Sequence, residues 1–90
     1  MQTITFISNG NMALSIAQGL KDKYYIEVVG RDNDKLTEFE KSLGVEIDKH
    51  LLNRFDITDK NIILCTKPTN IQEVSSKLKG KARYIISILA

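Results

Sequence analysis

Gly10 stands two residues beyond the end of the apolar, β-branched run "TITFIS" (3–8), and a stretch of small and helix-forming residues begins after it. A strand, a glycine-bearing turn and a helix start in that order can hold a phosphate. The helix N-terminus offers unpaired N–H groups and the positive end of its dipole. Set against the spacing G-x-G-x-x-G/A, the three small-residue positions fall on Ser8, Gly10 and Ala13. In that pattern the first glycine permits a tight turn, the second lets backbone approach a pyrophosphate, and the third allows close helix–strand packing. Two of the three positions carry a suitable residue, and Ser8 departs from the pattern. The stretch alone is compatible with a phosphate turn and with a plain strand-to-helix corner. A serine is expected to make the turn if its φ stays negative.

Two further stretches carry chemistry. The second apolar run ends "VVGRD", with Gly30 at its tip, then Arg31 and Asp32. An acidic side chain at such a tip accepts a ribose 2′-hydroxyl, whereas an arginine suits a 2′-phosphate, which a guanidinium grips with two hydrogen bonds. Arg31 therefore points to NADP, with NAD as the alternative; as an exposed turn pair, Arg31 and Asp32 would bind neither. The third stretch, "TKPTN", begins at Thr66 and follows the buried run "NIILC". Lys67 is expected on the same rim as Gly10 and Arg31.

The elements that would position these residues alternate. Strands are expected at 3–8, 24–30, 45–47, 61–66 and 82–90. The stretch "NMALSIAQGLKDK" places Met12, Ile16 and Leu20 at helical spacing, with Asn11 as cap. "DKLTEFEKSLG" carries the stripe Leu36, Phe39, Leu43 and a terminal glycine at Gly44. "TNIQEVSSKLK" carries Ile71, Val74 and Leu78, with Thr69 as cap and Gly80 closing it. Residues 48–60 are the least patterned; a short helix over 49–54 and a loop through Asp59 are expected. Strands alternating with helices of about ten residues specify right-handed crossovers, a parallel sheet and a doubly wound, Rossmann-like α/β fold.

Taken together, "FISNGNMALSIAQGL", "VVGRDNDKL", "ILCTKPTN" and "ISILA" resemble the N-terminal domain of pyrroline-5-carboxylate reductases over essentially the whole chain. That family reads approximately I-G-x-G-N-M-A in the first turn, N-R-[ST] after the second strand, V-K-P after the fourth and V-S-I-x-A-G after the fifth. The resemblance implies NAD(P)H-dependent reduction of 1-pyrroline-5-carboxylate to proline, usually with NADPH. It implies that Asn9, Gly10, Asn11 and Met12 hold the pyrophosphate, with Ser8, in place of the family's first glycine, in the same cofactor-binding turn. Gly30, Arg31 and Asp32 would face the adenosine 2′-phosphate, and Thr66, Lys67 and Pro68 would line the nucleotide near the nicotinamide ribose. Ser87 and Ala90 would approach the nicotinamide. Gly30 replaces a residue that often bears a polar side chain, leaving more of the 2′-phosphate recognition to Arg31.

The resemblance further implies that residues 1–90 are the NADP-binding domain alone. A substrate-binding, dimer-forming C-terminal domain would be missing, the parent would be a homo-oligomer, and this chain by itself would lack reductase activity. No residue here is assigned a catalytic role. The apolar run at the terminus points the same way, because a parallel sheet needs cover on both faces. Two readings outside that family stand beside it. One is the N-terminal domain of another NADP-dependent reductase, such as a β-hydroxyacid dehydrogenase relative. The other is a non-catalytic dinucleotide sensor, which usually keeps an acidic residue at the tip of the second strand. A fold whose site has decayed at Ser8 would bind no nucleotide.

Composition narrows the classes. Ninety residues, 42% hydrophobic and 27% charged, make one small globular domain. A net charge of +2 without a basic block argues against a nucleic-acid surface. Lys77, Lys79, Lys81 and Arg83 read as a solvated helix end and loop. No apolar run approaches the ~18 residues of a membrane span, and no leader pattern is visible, so a cytoplasmic protein with no membrane partner is expected. The one cysteine, Cys65, lies in an apolar run and reads as buried and inert. His50, the single histidine, has no ligand at metal spacing. Tyr24 and Tyr25 read as the start of a strand.

Overall fold

The computed structural model describes residues 1–8 and 10–89. Strand β1 (Thr3–Ile7) leads through a turn into helix α1 (Asn11–Leu20). Strand β2 (Tyr25–Gly30) leads into α2 (Asn33–Leu43), and β3 (Asp48–Leu51) follows. A short β4 (Phe55–Asp56) precedes β5 (Asn61–Thr66), a 3₁₀ turn (Pro68–Asn70) and α3 (Ile71–Ser76). Short β6 (Leu78–Lys79) and β7 (Tyr84–Leu89) complete the order. The main sheet runs β3-β2-β1-β5-β7 with every pair parallel. This is a Rossmann-like α/β fold, and its strand order reverses between β1 and β5, where ligands of such sheets bind.

Side-chain alternation along the strands divides the core. Phe6, Ile26, Val28, Ile63 and Cys65 face α1 and α2 and meet Ala13, Ala17, Leu36, Phe39 and Leu43. Ile7, Val29 and Ile62 face the other way and meet Val74 of α3 with Leu52 and Ile57. Both faces of β1, β2 and β5 are thus covered, which explains their near-continuous apolar runs. Helix α2 forms as its stripe requires. Asp32 caps its start, and Gly44 ends it at φ 82°, a left-handed conformation that favours glycine.

The least patterned stretch departs from expectation. Residues 45–47 are not a strand; pairing with β2 begins at Asp48, and Glu27, Val28, Val29 and Gly30 face Asp48, Lys49, His50 and Leu51 in register. No helix covers 49–54. All four residues of β3 are exposed, so its side chains carry no burial pattern and only the backbone ladder defines it. Segment 55–56 then pairs with 78–79 as a separate parallel ribbon, so α3 stops at Ser76 instead of running on through Leu78. Gly80, at φ 88°, belongs to this ribbon rather than to a helix end; a Cβ there would strike Thr58 and Asp56. Thr69 lies inside the 3₁₀ turn and Lys67 holds its cap position.

The second face of the sheet contains a carboxylate. The Glu27 side chain is only 8% exposed. Thr5 Oγ1 donates to Glu27 Oε1 at 2.7 Å and Lys60 Nζ donates to the same oxygen at 2.9 Å. His50 Nε2 lies 3.0 Å from Oε2. The aliphatic and ring surfaces close over this group: the His50 and Phe55 rings are 5.2 Å apart, and Lys60 Nζ sits 5.4 Å above the Phe55 ring. Burial pushes the Glu27 carboxyl up. The hydrogen bonds from Thr5 and Lys60 and the charges of Lys60 and His50 outweigh it, so the group titrates below its ordinary value of 4.5.

Candidate functional site

A cleft of about 470 Å³ opens at the carboxyl ends of β1, β2 and β5. It has the volume of a small-molecule site, a range of about 300–1,000 Å³. Its first wall is the β1–α1 turn. Ser8 adopts φ 109°, a region that glycine enters freely and other residues enter at a cost of about 1–3 kcal/mol. The condition of a negative φ, under which a serine makes this turn without strain, is therefore not met at Ser8. The Ser8 N–H still donates to the Val29 carbonyl at 2.9 Å, as a strand residue does, while Gly10 two positions on already caps α1.

Gly10 then caps α1 in extended backbone (φ −78°, ψ −177°), and its carbonyl accepts from Leu14 N–H at 3.0 Å. Asn11 is the first helical residue, not the cap. Among the described residues no side chain accepts from the N–H groups of Asn11, Met12 or Ala13, and the first turn holds no acidic residue. These donors and the dipole of a ten-residue helix face the cleft uncompensated. A Cβ at Gly10 would meet only Ser8 Oγ at 4.0 Å. The protein's own packing does not require glycine there; the space kept clear lies over the helix start. Ala13 is fully buried against the sheet, so its small size serves close packing.

The second wall is the β2–α2 turn. The Gly30 carbonyl accepts from Leu52 N–H at 2.8 Å, which ties the turn to β3. Asp32 Oδ1 accepts from Asp34 N–H at 2.8 Å and Lys35 N–H at 3.3 Å, so this carboxylate is committed to the α2 cap. Arg31 reaches across to α3, with Nη2 3.4 Å from Glu73 Oε2. Lys35, in the first turn of α2, adds a cation that belongs to no nucleotide motif in the sequence. Its signal is a lysine three residues after the Asp32 cap, in a helix that starts at the carboxyl end of β2.

The third wall follows β5. Thr66 is buried, and Lys67 takes the extended conformation (φ −69°, ψ 146°) that a following proline imposes. Asn70, at the end of the 3₁₀ turn, lines the cleft as well and was not foreseen, since a turn of that length carries no periodicity. Cys65 is buried at the cleft floor, and desolvation pushes its thiol up, so it stays protonated and unreactive. Arg31, Lys35 and Lys67 set three cations against the one carboxylate of Asp32 around this space.

The structure brings Ser8, Gly10, Asn11, Met12, Gly30, Arg31, Asp32, Thr66 and Lys67 to one cleft. Pro68 lies just beyond it and shapes the third wall through its ring constraint. Ser87 does not join: it sits on β7, in register with Leu64 and exposed. The physical reason is that β7 lies outside β5, farther from the point where the strand order reverses. Asn9 and Ala90 lie outside the described residues. His50 faces Glu27 rather than this cleft, and among the described residues no group of three or more His, Cys, Asp or Glu could hold a metal. No helix in the described residues is long and apolar enough to cross a membrane.

Residues 3–90 match the family model described as NADP oxidoreductase, coenzyme F420-dependent. The match spans nearly all of the chain, and the chain belongs to that family. No curated protein matches it.

Proposed function

We propose, from membership of this NADP-oxidoreductase family, that the cleft binds NADPH and that the chain is the dinucleotide-binding part of a reductase acting on 1-pyrroline-5-carboxylate. The observation that carries the nucleotide reading is the start of α1: three N–H donors without a side-chain acceptor among the described residues, and a Cβ position at Gly10 whose nearest described neighbour is Ser8 Oγ at 4.0 Å. The residues fit a dinucleotide. The α1 start would hold the pyrophosphate, Arg31 and Lys35 the 2′-phosphate, and Thr66, Lys67 and Asn70 the far ribose. When bound, the nicotinamide supplies hydride transfer. The protein's own residues would bind and orient: the α1 N–H groups and helix dipole would stabilise the pyrophosphate, and the cations would raise the local concentration of anionic ligand. The substrate assignment rests on the similarity of "GNMA", "GRD" and "TKPTN" to the proline-forming reductases.

The test is equilibrium titration of the 90-residue chain with NADPH and NADH. Preference for NADPH, lost in Arg31→Gln, is expected; preference for NADH would favour the sensor reading. Pyrroline-5-carboxylate-dependent oxidation of NADPH is expected to be absent with this chain alone, which is assigned binding and no catalytic residue. A second reading follows from the description of the family, which names coenzyme F420. On that reading the hydride partner is a deazaflavin. Assaying a longer parent chain with both compounds separates the two.

A further inference from the structure

The Arg31–Glu73 contact joins two walls of the cleft. Arg31 belongs to the β2–α2 turn and Glu73 to α3, and their closest atoms are 3.4 Å apart. The other oxygen of Glu73 lies 3.5 Å from Lys77 Nζ, so this carboxylate is held by two cations. Asn70, which precedes α3, and Val74, the residue after Glu73, line the cleft, as do Arg31 and Lys35. Glu73 is half exposed and its removal leaves no cavity.

We propose that Glu73 is a specificity-determining residue that occupies the anion site of Arg31 until a 2′-phosphate displaces it. The proposal rests on the nucleotide reading above. A carboxylate and a phosphate monoester compete for the same face of a guanidinium, and the phosphate carries more charge and more acceptor oxygens. Lys35 lies on the same wall and gains the incoming phosphate a second cation, which Glu73 does not contact. Lys77 on the far side of Glu73 receives the displaced carboxylate. A dinucleotide without the 2′-phosphate makes no such exchange and leaves the pair closed. Glu73 thereby lowers affinity for NADP while leaving NAD unaffected, and it sets how far the site discriminates between them.

The experiment compares wild type with Glu73→Gln by calorimetric titration with NADP, NAD, 2′,5′-ADP and 5′-AMP. Exposed ion pairs contribute about 0.2–1 kcal/mol, so Glu73→Gln is expected to tighten NADP and 2′,5′-ADP by about 1.4- to 5-fold. NAD and 5′-AMP are expected to bind with unchanged affinity. Equal tightening of all four ligands would overturn the proposal in favour of a general charge effect. Unchanged affinity for all four would overturn it while the nucleotide reading stands. Wild-type protein that binds none of the four would overturn the nucleotide reading, and this inference with it.

Discussion

The Glu27 cluster and the cleft are both polar, and they treat their polar groups in opposite ways. Glu27 is buried and its two oxygens meet Thr5, Lys60 and His50 at 2.7–3.0 Å. In the cleft, Asn11, Met12 and Ala13 present N–H groups without acceptors among the described residues, and Ser8 holds a strained φ of 109°. A buried polar group must be satisfied at once because the interior offers no water. A group at an open cleft keeps its valence for a ligand. Completeness marks Glu27 as part of the fold, and donors left without acceptors among the described residues are what make the cleft the candidate site.

Substitutions can break that contrast or sharpen it. The largest expected effect is at Glu27. Glu27→Ala orphans the buried Thr5 hydroxyl and separates Lys60 and His50 from their common partner. It is expected to cost about 2–3 kcal/mol in urea unfolding, with the dinucleotide affinity of the remaining folded protein unchanged. A loss of nucleotide affinity in the folded state would merge the two regions into one. Gly10→Asp should move stability and binding in opposite directions. The new carboxylate caps α1 and raises stability by about 0.5–1 kcal/mol, while NADPH affinity falls at least about tenfold by charge and bulk at the helix start. A matching rise in both would show that no phosphate binds there.

Ser8→Gly relieves the positive φ and is expected to stabilise by about 1 kcal/mol, read as a rise in Tm of about 4–8 °C for a domain of this size. The smallest effect is in pH. Because the Glu27 carboxyl titrates below its ordinary 4.5 in the folded state, its contribution is fully present above 4.5 and is lost as the pH falls from there through the lower folded-state value. Wild type should therefore lose stability more steeply below about pH 4.5 than Glu27→Gln does, as measured by urea midpoints at successive pH values. Parallel profiles would assign the acid sensitivity elsewhere.

The legible parts of this fold are the ones whose burial follows a period. Phe6, Ile7, Val28, Val29, Ile62 and Ile63 mark three central strands, and Leu36, Phe39 and Leu43 mark the α2 face. Nine of the twelve residues proposed for the site line one cleft because each lies at or soon after the carboxyl end of β1, β2 or β5, which a parallel sheet places on one rim. Strand β3 is not legible because its four residues are all exposed, so no alternation of burial marks the backbone ladder it forms with β2. The β4–β6 ribbon was missed for a similar reason. Two residues per strand are too few for alternation, and their partner lies more than twenty residues away.

The three central strands, the helices α1 and α2, the parallel sheet and the rim carrying Gly10, Arg31 and Lys67 were determined by the sequence itself. Those features depend on local periodicity and on the chirality of crossovers, both of which any stretch of chain carries with it. Only the tertiary structure decided that Ser8 takes a glycine's conformation, that Asp32 is spent on a cap, and that Arg31 is held by Glu73. It alone brought Thr5, Glu27, His50 and Lys60 together. These depend on distances between segments remote in sequence, where the geometry of packing chooses the partner and no local pattern records it.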